Sequence, residues 1–231
     1  MSVRYAVYLA PACDTALWRF GSSVVGYDAE TGADCVAPAL CGFAPEDWRG
    51  LTDEPRRYGF HGTLKAPFRL APGMDETDLF AALAGFAMEH HPFELPPLEV
   101  RQLGSFIALV PPAPVPALDD LALDAVERLD AVRAPLSEAE IARRKPENLT
   151  PRQRAHLHRY GYPYVREDFR FHMTLTGKLQ EPAMGHAVNA LSEAYLASGA
   201  HMPVPVDDVV LYMQEEAGAR FRILHRAPLG A

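Results

Sequence analysis

Cysteine is scarce and unpatterned in this chain. The three present (Cys13, Cys35, Cys41) are odd in number and form no CxxC pair. That argues against a disulfide framework or a zinc knuckle, and for a reducing compartment. Nowhere do apolar residues run for the ~18 uninterrupted positions of a membrane span. The opening stretch MSVRYAVYLAP also lacks the long apolar core and small-residue cleavage site of a secretory leader. The expectation is a cytoplasmic protein with no membrane partner. GxxxxGK[ST], GxGxxG and GxSxG are missing too, so kinase, dinucleotide-binding and serine-hydrolase readings lose their usual support. Positive charge is in deficit, with 22 lysines and arginines against 30 aspartates and glutamates, a net charge of −8. This argues against extended nucleic acid as a partner, because sequence-independent binding rests on a broad positive surface. A small anionic ligand held by a few local cations is compatible with it.

What is present is ordinary globular material: 231 residues, 48% of them hydrophobic and 23% charged. Such a length fits one domain over residues 1–231, built of two similar lobes, and needs no covalent staples. RYAVYLAP reads as a strand ended by proline. Residues 13–54 are rich in glycine, proline and aspartate and read as mostly loop, with one short helix around residues 14–20. RRYGFHGTLKAPF reads as a strand that stops at Pro67, since proline cannot donate to a ladder. Leu79, Phe80, Leu83, Phe86 and Ala87 then recur at helical spacing behind Asp75, a candidate N-cap. FELPPLEVRQLGSFIALVP reads as two strands turning near Gly104.

The second half repeats this order. FRFHMTLTGKL reads as a strand, PAMGHAVNALSEAYLASG as a helix ending before Gly199, and VPVDDVVLYMQEEAGARFRILHRAP as two strands turning near Gly218. Gly104 follows His61 at nearly the interval at which Gly218 follows His172. Internal duplication is the simplest account. The expected fold class is α+β, a pseudo-symmetric pair of lobes with largely antiparallel sheet, helices outside and a cleft between. Between the halves, Leu118, Leu121, Ala125, Leu129 and Val132 keep helical spacing, Ser137 and Glu140 fit a capping box, and Thr150-Pro151 opens a helix that ends by Gly161.

The duplication carries one pattern twice. YGFHGTLKA and FRFHMTLTG share Phe-His-x-Thr-Leu, at His61 and at His172, a pattern expected by chance in on the order of one chain in a thousand. Strand side chains alternate between faces. Phe60, Gly62 and Leu64 therefore face one way and His61, Thr63 and Lys65 the other. Likewise Phe171, Met173 and Leu175 oppose Arg170, His172, Thr174 and Thr176. Either histidine alone would read as structural; the matched pair reads as functional. Imidazole titrates near pH ~6.5, so one ring can be neutral while the other is charged, which suits a general acid–base pair. Threonine hydroxyls can hydrogen-bond phosphoryl oxygens, and Lys65 and Arg170 could offset charge that develops on phosphorus. Tyr164 and Arg166, in the lead-in GYPYVREDF, are further candidates for holding a sugar or a second phosphate. Of Tyr5 and Tyr8, on opposite faces of the first strand, at most one can reach the cleft.

Two His-x-Thr motifs on duplicated strands resemble the 2H phosphoesterase superfamily, with His61/Thr63 and His172/Thr174 in the motif positions. RYAVYLAP, YGFHGTLKAPF and GYPYVREDFRFHMTLTG look, more closely, like the branch associated with bacterial phosphonate operons. The resemblance implies a metal-independent cyclic phosphodiesterase that needs no cofactor. It also implies a small anionic substrate, a cyclic phosphate ester of ribose such as 5-phosphoribosyl 1,2-cyclic phosphate. As a starting assignment His172 is the base and His61 the acid. The competing readings are processing of RNA 2′,3′-cyclic phosphate ends and a non-catalytic phosphate-ester-binding protein. Two further features are weighed as bland: His156-x-His158 and His90-His91 lack partners at metal-ligand spacing, and the basic run Arg143, Arg144, Lys145, Arg152, Arg154, Arg159 reads as a solvated helical face. The sequence carries no signal for oligomeric state.

Overall fold

The computed structural model describes residues 3–40 and 42–230. Cys13 and Cys35 are free thiols, and Cys41 lies outside the described residues. β1 (Arg4–Leu9) leads into α1 (Ala16–Val25), which starts where the Thr15 hydroxyl accepts the Trp18 N–H. α2 (Pro45–Leu51) and α3 (Asp53–Arg56) come next. Residues 13–54 are thus more helical than their glycine and proline content implies. Tertiary contacts decide this: Leu17, Phe20, Val24, Val25 and Trp48 are buried, and the Trp48 indole donates to the Val24 carbonyl at 2.9 Å.

β2 (Gly62–Phe68) is succeeded by α4 (Glu76–Met88), opened by a reciprocal Asp75–Asp78 capping box. The chain continues through β3 (Phe93–Leu95), β4 (Glu99–Leu103) and β5 (Phe106–Val110), with Gly104 at φ 60 turning the β4–β5 hairpin. α5 (Pro116–Arg128), α6 (Glu138–Arg143) and α7 (Pro151–Tyr160) link the halves, and both expected caps, Ser137 with Glu140 and Thr150 with Gln153, are formed. β6 (Met173–Thr174) is far shorter than the strand read from FRFHMTLTGKL. α8 (Ala183–Ala197), β7 (Val204–Val206), β8 (Asp208–Gln214) and β9 (Arg222–Pro228) complete the chain.

Seven strands form one sheet in the order β4-β5-β6-β2-β1-β8-β9, and β3 pairs with β7 separately. Every recorded strand pair is antiparallel, so the α+β class expected from the sequence is what forms. The two ends of this sheet, β4-β5-β6 and β2-β1-β8-β9, join through the recorded pair Gly62↔Met173. The hairpin that comes after β2 in sequence flanks β6, and the hairpin that comes after β6 flanks β1 and, through it, β2.

α4, α5 and α8 pack on the sheet, over a core that includes Val7, Leu64, Phe68, Leu109 and Met173. The opposite face holds a smaller cluster of Ala6, Tyr8, Trp18, Tyr212 and Phe221. At the seam a Cβ on Gly62 would lie 2.3 Å from the Phe171 ring. Only glycine lets that ring close over β2, which explains why the first motif reads His-Gly-Thr where the second reads His-Met-Thr.

Candidate active site

His61 stands immediately before β2, and the β1–β2 register sets the facing of the residues after it. Leu9 pairs with Gly62 and Tyr8 with Thr63, but the next step pairs Val7 with Lys65. Leu64 is therefore an extra residue, a β-bulge that reverses the facing of Lys65. His61 and Thr63 line a cavity of about 460 Å³, and Lys65 does not. The lysine lies on the helix-covered face, where its Nζ donates to the Val126 carbonyl at 2.8 Å and stands 3.9 Å from Asp130. Burial pushes its ammonium down to about 8. The expectation that Lys65 sits beside His61 and Thr63 is corrected by this bulge. A second register shift, between the Val7↔Lys65 and Tyr5↔Phe68 pairs, leaves room for Pro67 inside β2, so the strand runs on to Phe68.

His172 and Thr174 border the same cavity. The antiparallel register that sets Gly62 against Met173 sets Thr63 across from His172, and His61 across from Thr174. The two imidazoles are held alike. His61 Nδ1 donates to the carbonyl of Gly59 at 2.9 Å, and His172 Nδ1 donates to the carbonyl of Arg170 at 2.7 Å. In each case the acceptor is the carbonyl two residues back, which can only accept, so Nδ1 carries the proton and Nε2 is left for the cavity. The Thr63 hydroxyl stands 3.3 Å from His61 Nε2.

The surroundings of the rings differ. His61 stacks on Tyr8 with ring centroids 3.7 Å apart, whereas His172 meets Phe106 at 5.5 Å. Removal from water pushes the His61 imidazole down to about 4, the Gly59 carbonyl opposes that shift, and the nearby His172 adds to it. Burial raises the Tyr8 phenol and pushes that of Tyr162 up to about 12, so both stay neutral near pH 7.

The remaining candidates scatter. Tyr164 and Arg170 border an adjoining cavity of about 480 Å³ that shares Thr63 and His172 with the first. Arg170 directs one guanidinium nitrogen to the carbonyls of Glu167 and Phe169. Arg166 is removed from both cavities and bonds Glu127, so its assignment to substrate is not met. Thr176 is buried and its hydroxyl accepts the Ile107 N–H at 3.0 Å. Tyr5 points to the helix-covered face, donating to Glu76 at 2.8 Å, and Tyr8 is the one that reaches the cleft. Residues the motif reading missed are Phe106, Tyr58, Tyr162, Arg4 and Arg144, all on the cavity wall. Of these only Arg144 had a signal, its place in the basic run. Among the described residues no group of three or more His, Cys, Asp or Glu side chains is placed to hold a metal ion.

Comparison with known proteins places this site in context. Two curated relatives, from Janthinobacterium sp. (strain Marseille) and Laribacter hongkongensis (strain HLHK9), are both named ribose 1,5-bisphosphate phosphokinase PhnN. They are 36% and 34% identical over 228 and 221 residues, or 97% and 96% of this chain. The chain spans about half the length of these relatives, 50% of each. Among solved structures, E. coli LigT complexed with 3′-AMP is 16% identical with a TM-score of 0.48, and a crystal structure of a phosphoesterase is 15% identical with a TM-score of 0.48; both cover all of both chains. A family model described as "Protein of unknown function (DUF1045)" matches residues 63–222, a stretch that includes both motif threonines, His172 and the strands that carry them, and the chain belongs to that family.

Proposed function

We propose that this chain is a phosphodiesterase of the 2H type, which opens a small cyclic phosphate ester of ribose without a metal. One observation carries the reading. Two imidazoles on one cavity each have Nδ1 tied to the carbonyl two residues back, which leaves Nε2 as the nitrogen without a proton, and each has a threonine two residues on. Burial disfavours the charged form of the more enclosed His61. His61 is then the base that takes a proton from water, and His172 the acid that protonates the leaving oxygen. This reverses the starting assignment, and burial is the reason. Thr63 and Thr174 donate to the non-bridging oxygens. An acid and a base each contribute ~10²–10⁴ in rate, or about 3–5 kcal/mol.

The substrate is taken to be a ribose with a 1,2-cyclic phosphate and a 5-phosphate. The relatives' name supplies the support: a ribose 1,5-bisphosphate phosphokinase needs ribose 1,5-bisphosphate, and this chain has no GxxxxGK[ST] loop of its own. Attack of water on the cyclic phosphorus with breakage of its bond to O2 gives that product. The water oxygen stays on phosphorus, one water proton goes to His61 and O2 takes its proton from His172.

The test is phosphorus NMR of the protein with this cyclic phosphate in buffer containing EDTA. Turnover to ribose 1,5-bisphosphate is expected, and His61→Ala and His172→Ala should each reduce it at least ~10³-fold while keeping the wild-type circular dichroism spectrum. Near-full activity in either variant sinks the two-histidine mechanism. A second reading, processing of RNA 2′,3′-cyclic phosphate ends, is favoured by the aromatic lining of the adjoining cavity, with Phe106, Tyr162, Tyr164 and Phe169 beside His172. It predicts a steep fall of activity with salt, where a small substrate gives a shallow one.

A further inference from the structure

Among the described residues, eleven of the nineteen arginines hold a carboxylate in a salt bridge, and Arg4 and Arg144 are among the eight that do not. Both line the catalytic cavity. Both also line a second cavity of about 690 Å³ that opens from it past Tyr58 and Pro67. In a chain of net charge −8, two unneutralised guanidinium groups at this junction call for an anion.

Arg4 is built for such a role. Its Nε donates to the Gln214 side chain at 2.7 Å, and the Gln214 amide in turn donates to the Ala219 carbonyl at 2.6 Å. Gln214 is only 5% exposed. The Arg4 guanidinium lies over the Phe221 ring at 5.5 Å. These contacts fix the plane of the group and leave both terminal nitrogens to donate, the fork that suits a phosphate. Arg144 lies over Tyr162 at 5.7 Å, at the end of α6. That helix is held by Glu140, which accepts from Arg69 at 2.8 Å and from the Ser137 N–H at 2.8 Å. Glu140 is the acidic group on the second cavity, and it is already engaged.

Placement along β1 sets the spacing. Arg4, Ala6 and Tyr8 share a face of a strand whose pairing with β8 is regular, and Tyr8 carries His61. The Cα atoms of Arg4 and Tyr8 are therefore about 13 Å apart, a gap the long arginine side chain shortens. We propose that Arg4 and Arg144 form a second anion subsite, which takes a phosphomonoester carried on the same sugar as the phosphodiester opened at His61 and His172. This rests on the phosphodiesterase reading for the phosphodiester end, while the subsite is testable without turnover.

Two measurements test it. In calorimetric titration, ribose 5-phosphate should bind the wild-type protein and His61→Ala, and should bind Arg4→Met and Arg144→Gln at least tenfold more weakly. Absence of binding to the wild type, or equal binding by the arginine variants, overturns the subsite whether or not any substrate turns over. In kinetics, each arginine variant should lose at least tenfold more kcat/KM on ribose 1,2-cyclic phosphate bearing a 5-phosphate than on the same ester without it, mostly through KM. Equal losses on both esters would also overturn it. Failure of the wild type to open either ester counts against the phosphodiesterase reading and leaves the calorimetric result to decide the subsite.

Discussion

Replacing Gly62 by alanine adds one methyl group at the seam between the two ends of the sheet. That methyl would lie 2.3 Å from Cε2 and 2.4 Å from Cζ of Phe171, whereas unstrained carbon contacts lie near 3.5–4.0 Å. The ring must withdraw by more than about 1 Å, and it has little freedom to do so, being 8% exposed within the main core. Overpacking of this kind costs ~1–3 kcal/mol. It also has a chemical consequence, because Phe171 precedes His172 and the ring anchors the strand that presents it. A displacement near 1 Å at a reacting group can cost ~10²-fold in rate. Urea unfolding monitored by the fluorescence of Trp18 and Trp48, both buried, should show the loss of stability. Turnover of a ribose cyclic phosphate should fall ~10–100-fold, mostly in kcat. Adding Phe171→Leu to Gly62→Ala removes the clash and should restore part of both quantities. If Gly62→Ala unfolds within ~0.5 kcal/mol of the wild type and keeps its activity within twofold, the seam does not position His172 and the reasoning fails.

Two other expectations concern charge. His61 is depressed from 6.5 to about 4 in the folded protein, so its contribution to stability is complete above pH 6.5 and is lost as the pH falls towards 4. The loss amounts to up to about 3 kcal/mol. His61→Gln should be less sensitive to acid than the wild type over that window, and an imidazole NMR titration of His61 with a midpoint at 6.5 or above would refute this. Lys65 faces away from the cavity and bonds the Val126 carbonyl, so Lys65→Met should leave kcat/KM for a cyclic phosphate within twofold. Its unfolding free energy should fall by ~1–3 kcal/mol, since a buried carbonyl loses its partner. A large change in KM would return Lys65 to the substrate.

What could be read from the sequence was whatever rests on local rules. The helix caps at Asp75, Ser137 and Thr150, the turns at Gly104 and Gly218 and the facing of His61, Thr63, His172 and Thr174 derive from short-range chemistry, and the structure places them accordingly. Strict alternation failed one residue later. The bulge at Leu64 is a property of the β1–β2 register, and no local signal announces it, so strict alternation puts Lys65 on the wrong face. The rule against proline in strands supposes a regular ladder and makes Pro67 a stop, but here the second register shift accommodates it. Nearness in sequence to the second motif points to Arg166, but its partner Glu127 comes from α5. Arg4, Tyr8, Phe106 and Arg144 are scattered along the chain on β1, β5 and the end of α6, and a motif search looks along the chain rather than across a sheet.

The pairing of β1 with β8, which sets Arg4 against Gln214, has a consequence for how the protein comes into being. Each motif strand is supported by a hairpin that belongs to the opposite half of the chain, so neither half encodes a finished half-site. During synthesis His61 can reach its final surroundings only after β8 has emerged, late in the translation of these residues. Such long-range pairing makes folding slow and cooperative. It also means that a cut in the segment between the halves would yield two fragments that are each incomplete and each supply what the other lacks.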